Sequence, residues 1–290
     1  MTTRPGDLRD SDPESYWNDF ERRWTGLLSY RYLGRSHRRF DRQASEDGPD
    51  TMRLRHDMRN QTGGVMAAPL CIAAPEAGGF SDIDAVPNPV IASLQIVDPA
   101  TDVAEIEIIR EQLRTGRTMG FSRTRIVDAN DPARLLAISE GMGVDIGPAP
   151  PGGFGAVDNP PIEVEDSPDM PPLHVVFGAW RDDRGTWSLP ELSDDLASPD
   201  AALHLGPIHV LAEAAATDAA NRISREPLQI TGWHVMFMAR GKVGPFVMSC
   251  DASSSIDRGG SVGVRWTLRD VGNDDRPVTA GTALFRKAQR

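Results

Sequence analysis

The chain has 290 residues, a quarter of them charged, a formal net charge of −11 and two cysteines. That length buries one large core or two ordinary ones, and the acidic balance excludes the broad basic face that nucleic-acid binding requires. Two scattered cysteines, Cys71 and Cys250, make neither a disulfide framework nor a zinc signature, and no apolar run reaches the roughly 18 residues of a membrane span.

Met1 to Asp12 is polar and mixes both charge signs. It lacks the basic-then-apolar order of a signal peptide, so a disordered start and a cytoplasmic protein are expected. Asp12-Pro13-Glu14 reads as a helix opening: a side-chain acceptor for orphan amides, a proline whose missing N–H costs nothing there, and a carboxylate that suits the dipole. Trp17, Phe20, Trp24 and Leu27 recur at helical spacing and predict a helix packed on the body of the protein. Residues 29–50 are rich in Arg and poor in large apolar side chains, which predicts a solvated stretch. Residues 1–51 thus form an N-terminal extension. From Met52 to Arg59 apolar and polar residues alternate, the period of a half-buried strand.

The Pro-, Gly- and Asp-rich stretch 146–171 reads as an extended linker. It separates two halves of similar size, 52–145 and 172–290, and the halves repeat. Gly120 to Asp128 and Val262 to Asp270 are both alternating strands ending on Asp, 142 residues apart. Each follows an Arg/Gly turn and precedes a polar loop and a further strand, Leu135 to Ser139 and Val278 to Ala283. At the same offset Val90 to Val97 matches Gly232 to Ala239, and Val103 to Gln112 matches Pro245 to Ser254. Upstream, Met66 to Pro75 aligns with His204 to Glu213 at an offset of 138. Both segments read as starts of buried helices with Pro in the opening turn, and both cysteines fall among apolar neighbours as core residues. Each half is therefore strand, helix, then three or four antiparallel strands, an α+β architecture.

The run His204-Leu205-Gly206-Pro207 through Glu213 resembles the His-Gly-Gly…Asp/Glu motif of hotdog-fold acyl-CoA thioesterases of the PaaI-like kind. Leu205 replaces the first Gly of that motif; Gly206 and Glu213 stand where the second Gly and the helix carboxylate belong. The resemblance implies a tandem, or double, hotdog: two helices, each packed on a curled antiparallel sheet, with sites at the interface of the two units. It further implies an Asn and helix-start amides from one unit, a carboxylate from the other, and a hydroxyl on the next strand. CoA phosphates would lie at the hairpin arginines Arg117 and Arg258, and such proteins leave room for homo-oligomers.

Carried onto this chain, the catalytic set is Glu213, Asn60 and Thr231, with Gly64, Met66, Ala67, His204 and Gly206 as substrate-binding positions. Thioester hydrolysis needs donors to polarise the carbonyl and a carboxylate to activate water or attack directly. The two halves lose complementary parts. Asn60 has Ser198 as its counterpart, and Glu213 has Pro75, which also shortens the first helix. One working site per chain is expected, its carboxylate held in an apolar helix environment that raises its pKa. No phosphate loop, dinucleotide fingerprint or zinc-protease motif is present, so neither a cofactor nor a metal is expected. The expected activity is hydrolysis of an acyl-CoA thioester. A double-hotdog hydratase or dehydratase pairing His204 with Glu213, and a non-catalytic acyl-CoA binder, are the alternatives.

Overall fold

The computed structural model describes residues 5–12, 14–34, 49–74, 85–148, 162–224, 226–254 and 260–288. Among the described residues the alternating segments become eleven strands: β1 (Thr51–Arg53), β2 (Ala85–Ile96), β3 (Glu105–Thr115), β4 (Met119–Asp128), β5 (Asp131–Pro148), β6 (Trp180–Arg181), β7 (Trp187–Leu189), β8 (Leu228–Phe237), β9 (Phe246–Ser254), β10 (Ser261–Asp270) and β11 (Arg276–Lys287). They form one antiparallel sheet in the order β1-β3-β4-β5-β2-β8-β11-β10-β9-β7-β6. β2 and β8 meet at its middle, with Ile91 opposite Met236 and Gln95 opposite Gly232. On one side β5, β4 and β3 follow β2; on the other β11, β10 and β9 follow β8, so the strand order of the two halves mirrors across the middle.

Inward residues of one half (Leu94, Ile106, Ile108, Ile126) and of the other (Val235, Val264, Trp266, Leu268) belong to one core. Among the described residues five α-helices accompany the sheet: α1 (Tyr16–Gly26), α2 (Leu28–Tyr32), α3 (Ala67–Ala73), α4 (Leu173–Val176) and α5 (Leu205–Ile223). α5 begins with Pro207 in its first turn and runs through repeated alanines, residues that favour a helix and permit close approach. It lies against β9 and β10 and packs on α3, and most of its side chains are buried. No described helix is long and apolar enough to cross a membrane.

The connections leading into α3 and α5 are built alike, 138 residues apart. Arg59 bridges to Val65 and Ala197 to Leu203. Asn60 N donates to Gly64 O at 2.9 Å and Ser198 N to Ala202 O at 2.8 Å; Met66 N donates to Met58 O at 2.9 Å and His204 N to Leu196 O at 2.8 Å. Gly63 and Ala201, at matching positions, both adopt positive φ. Each helix then starts from an extended residue, Met66 or His204.

The structure departs from the sequence expectations at several points. The first helix stops at Gly26; Leu27 is extended and α2 restarts the chain direction. The stretch from 29 was expected to be solvated, yet Ser29, Tyr30, Tyr32 and Leu33 are buried, because Leu27, Tyr30 and Leu33 fall at a three-residue spacing and enter the main core. Residues 35–48 of that stretch, like Pro13, lie outside the described residues. The strand expected over 52–59 pairs only through β1. A 3-10 turn at His56–Met58 replaces the rest, tightened by the buried Arg55–Asp57 ion pair at 3.2 Å. β5 runs to Pro148, past the expected start of the linker. Residues 162–172 then contain no helix or strand, and residues 149–161 lie outside the described residues. Cys71 is buried and Cys250 half-buried against the core, where desolvation pushes the Cys250 thiol up to about 12.

Candidate active site

Glu213 sits in the middle of α5, only 2 % exposed, among Leu211, Ala212, Ala215 and Ala216. Its carboxylate reaches out of the second half to the start of α3 in the first. Oε1 accepts from Ala67 N at 2.8 Å and Oε2 from Ala68 N at 2.6 Å. These are first-turn amides with no partner within their own helix. Two effects compete on the proton. Burial disfavours the charged form and is the larger; the Ala68 and Ala67 amides favour it. The balance leaves the carboxyl raised from 4.5 to about 7. One turn earlier on α5, the buried His209 accepts a hydrogen bond at Nδ1 from Trp233 Nε1, 3.1 Å.

The loop before α3 carries the second group of polar side chains. Asn60 Nδ2 donates to Gln229 Oε1 at 2.8 Å, and Asn60 Oδ1 accepts from Thr62 N at 2.9 Å. The Thr62 hydroxyl lies between Asn60 Oδ1 and Gln229 Oε1, at 2.6 and 2.8 Å, with one proton to share. Gln229 Nε2 donates to Val65 O and Ile230 O, both at 3.2 Å, which fixes which way its amide points. A Cβ on Gly64 would stand 2.0 Å from Gln229 Oε1, so this glycine is what lets the β8 amide cross to Asn60. Gln229 and Glu213, both from the second half, thus grip the same stretch of the first half, residues 60–68.

The sequence-derived set divides accordingly. Asn60, Gly64, Ala67 and Glu213 come together around that stretch. Met66 is part of it, but its amide is spent on Met58 O, and the amides aimed at the carboxylate are those of Ala67 and Ala68. Thr231 does not stand beside the carboxylate: its hydroxyl donates to Leu284 O across the strand at 3.3 Å. The reason is a bulge. Leu284 pairs with Gly232 and Phe285 with Ile230, leaving Thr231 as the extra residue of β8. Strict alternation from Trp233 would have pointed Thr231 inward. Trp233, two residues on, keeps the inward phase and is in the core. His204 and Gly206 lie at the other helix start, where His204 Nδ1 is 3.0 Å from Ser29 Oγ and accepts from Gly206 N. Arg117 is exposed in the turn between β3 and β4. Arg258 and Pro75 lie outside the described residues. Gln229 and Thr62 are the functional candidates that sequence reasoning missed. Asn60-x-Thr62 is ordinary turn chemistry, and no periodicity marks Gln229. Among the described residues no group of His, Cys, Asp or Glu could hold a metal ion.

No family model matches the sequence, and no curated protein does either. Solved structures do match. A protein of unknown function with a hot dog fold from Alicyclobacillus acidocaldarius is 12 % identical, with a TM-score of 0.52 over 83 % of this chain and 93 % of that one. An acyl-CoA thioesterase II from Mycobacterium marinum is 10 % identical, with a TM-score of 0.53 over 83 % and 94 %. A 12:0-ACP thioesterase from Umbellularia californica is 9 % identical, with a TM-score of 0.52 over 86 % and 99 %. Together with the antiparallel sheet and its central helix, this likeness shows a hotdog fold.

Proposed function

We propose that this protein is a thioesterase that hydrolyses an acyl thioester, built as two hotdog units in tandem, 52–145 and 172–290. The tandem reading is supported by the mirrored strand order and by the paired connections 138 residues apart. The observation that carries the activity is the carboxylate of Glu213, delivered from one half onto the opening amides of a helix in the other.

In the resting site Glu213 holds the donors that a thioester carbonyl would use. An arriving carbonyl oxygen takes an amide of Ala67 or Ala68, which stabilises the negative charge that develops on it. The displaced carboxylate accepts a proton from water as the water oxygen attacks the carbonyl carbon. The C–S bond then breaks, and the proton passes to the thiolate, leaving an acid and a thiol. A carboxyl raised to about 7 suits a base that must both take and return a proton near neutrality. Asn60, Thr62 and Gln229 hold the loop and offer polar groups for the water or the thioester.

The matching structures named for acyl-CoA and acyl-ACP thioesters support this substrate class at the level of fold. Hydration of an enoyl thioester would need His204 beside Glu213. His204 is instead turned to Ser29 and Gly206, which argues against that chemistry. The test is a panel of acyl-CoA and acyl-ACP substrates read by thiol release. Turnover with thiol supports hydrolysis. Saturable binding without thiol would replace the enzyme reading with an acyl-thioester carrier role.

A further inference from the structure

The second helix start has the same architecture as the candidate site, but a different occupant. By the 138-residue repeat, Leu205 and Gly206 correspond to Ala67 and Ala68, Ser198 to Asn60, and Asp200 to Thr62. Glu213 corresponds to Pro75, whose side chain has no acceptor. What stands at the α5 start comes from the N-terminal extension. Ser29 Oγ lies 3.0 Å from His204 Nδ1, the same nitrogen that accepts from Gly206 N at 3.3 Å. A Cβ on Gly206 would be 2.2 Å from Ser29 Oγ, so the hydroxyl is seated directly against the helix opening. The rings of Tyr30 and Trp24 meet the His204 ring edge-on, with centroids 5.5 and 6.1 Å away. The extension is also tied to the loop itself: Leu8 N and Arg23 Nη1 both donate to Pro199 O, at 3.1 and 3.2 Å, and Lys242 pairs with Asp7.

The covered loop keeps polar groups beyond what its own hydrogen bonds use. Asp200 is 7 % exposed; one carboxylate oxygen accepts from Ser198 and Arg240, while the other is buried and has no partner among the described residues. A buried carboxylate oxygen without a partner is uncommon and calls for an explanation.

We propose that the start of α5 is a second acyl-thioester site, the counterpart of the Glu213 site, and that the N-terminal segment 5–34 occupies it as a built-in plug centred on Ser29. The plug holds the chain to one accessible site. The inference rests on the thioesterase reading of the Glu213 site for its ligand class. Once opened, the second site binds ligand but does not hydrolyse it, because the position matching Glu213 is proline.

The experiment is a binding stoichiometry on the full-length chain with a non-hydrolysable S-alkyl-CoA thioether, measured calorimetrically. The parent should take one thioether per chain. The Ser29→Gly/Tyr30→Ala variant should take two, the second more weakly, with thiol release from true substrates unchanged. One per chain in a variant that still unfolds cooperatively overturns the proposal, as does two per chain in the parent. If the double variant fails to fold, Ser29→Gly alone, which removes only the seated hydroxymethyl group, takes its place: two per chain supports the plug and one overturns it. No thioether bound by the parent would sink the thioesterase reading itself, an outcome distinct from an unchanged count of one.

Discussion

Glu213→Gln keeps the volume of the side chain and one oxygen for the Ala67 and Ala68 amides, but removes the charge and the base. Loss of a positioned base should lower kcat roughly 10²- to 10⁴-fold, with KM for the thioester little changed, because the group acts in the transition state. Stability should move differently. The folded carboxyl is raised from 4.5 to about 7, so between those values the folded state holds a proton that the unfolded chain has released. This group therefore contributes nothing unfavourable below the unfolded value. It lowers stability increasingly as pH rises toward 7, and above that by about 3 kcal/mol. Gln removes that pH-dependent burden and, like the protonated carboxyl, offers one carbonyl oxygen to the two amides. The variant should thus be about as stable as the parent at pH 4.5 and more stable than it at pH 8. Thiol-release kinetics and urea unfolding at the two pH values read both effects, and kcat/KM of the parent should rise through about pH 7 to a plateau. An unchanged kcat refutes the base. A loss of activity matched by a loss of stability at pH 8 makes Glu213 a helix cap instead.

Gln229→Leu leaves Asn60 Nδ2 and Val65 O without their partner; a loss of about 1–3 kcal/mol in denaturant unfolding and a lower kcat are expected. Gly64→Ala puts a methyl group 2.0 Å from Gln229 Oε1, and should reproduce the kinetic defect of Gln229→Leu without adding to it in the double variant, a non-additivity that a mutant cycle reads. Thr231→Val removes a hydroxyl that donates to Leu284 O on the half-exposed bulge, so activity should stay within error of the parent; a large drop would place Thr231 in the site after all. Asp270→Asn weakens a buried carboxylate that accepts from the amides of Lys242, Val243 and Gly244. A loss of about 3 kcal/mol or more in cooperative unfolding stability is expected, with KM unaffected in the folded fraction.

Local physics carried much of this protein in the sequence alone. Period-two alternation marked β2–β4 and β8–β11 because each strand has one face on the core, and the polar loops between them set the repeat. Alanine, an opening proline and one glutamate without polar neighbours marked α5 and its carboxylate, since a helix buried on most sides leaves little room for other polar groups. The meeting of Glu213 with the start of α3 was legible only through the repeat. Other features depended on contacts far apart in the chain. Gln229 reaches Asn60 across 169 positions because Gly64 opens the gap. Thr231 turns away because one extra residue in β8 shifts the phase of the strand, and a bulge follows from how β8 meets β11, not from the composition of β8. Ser29 and Tyr30 read as part of a charged, solvated stretch. Burial beside His204, 175 positions away, is decided by which surface the folded sheet leaves uncovered, and no window of sequence contains that information.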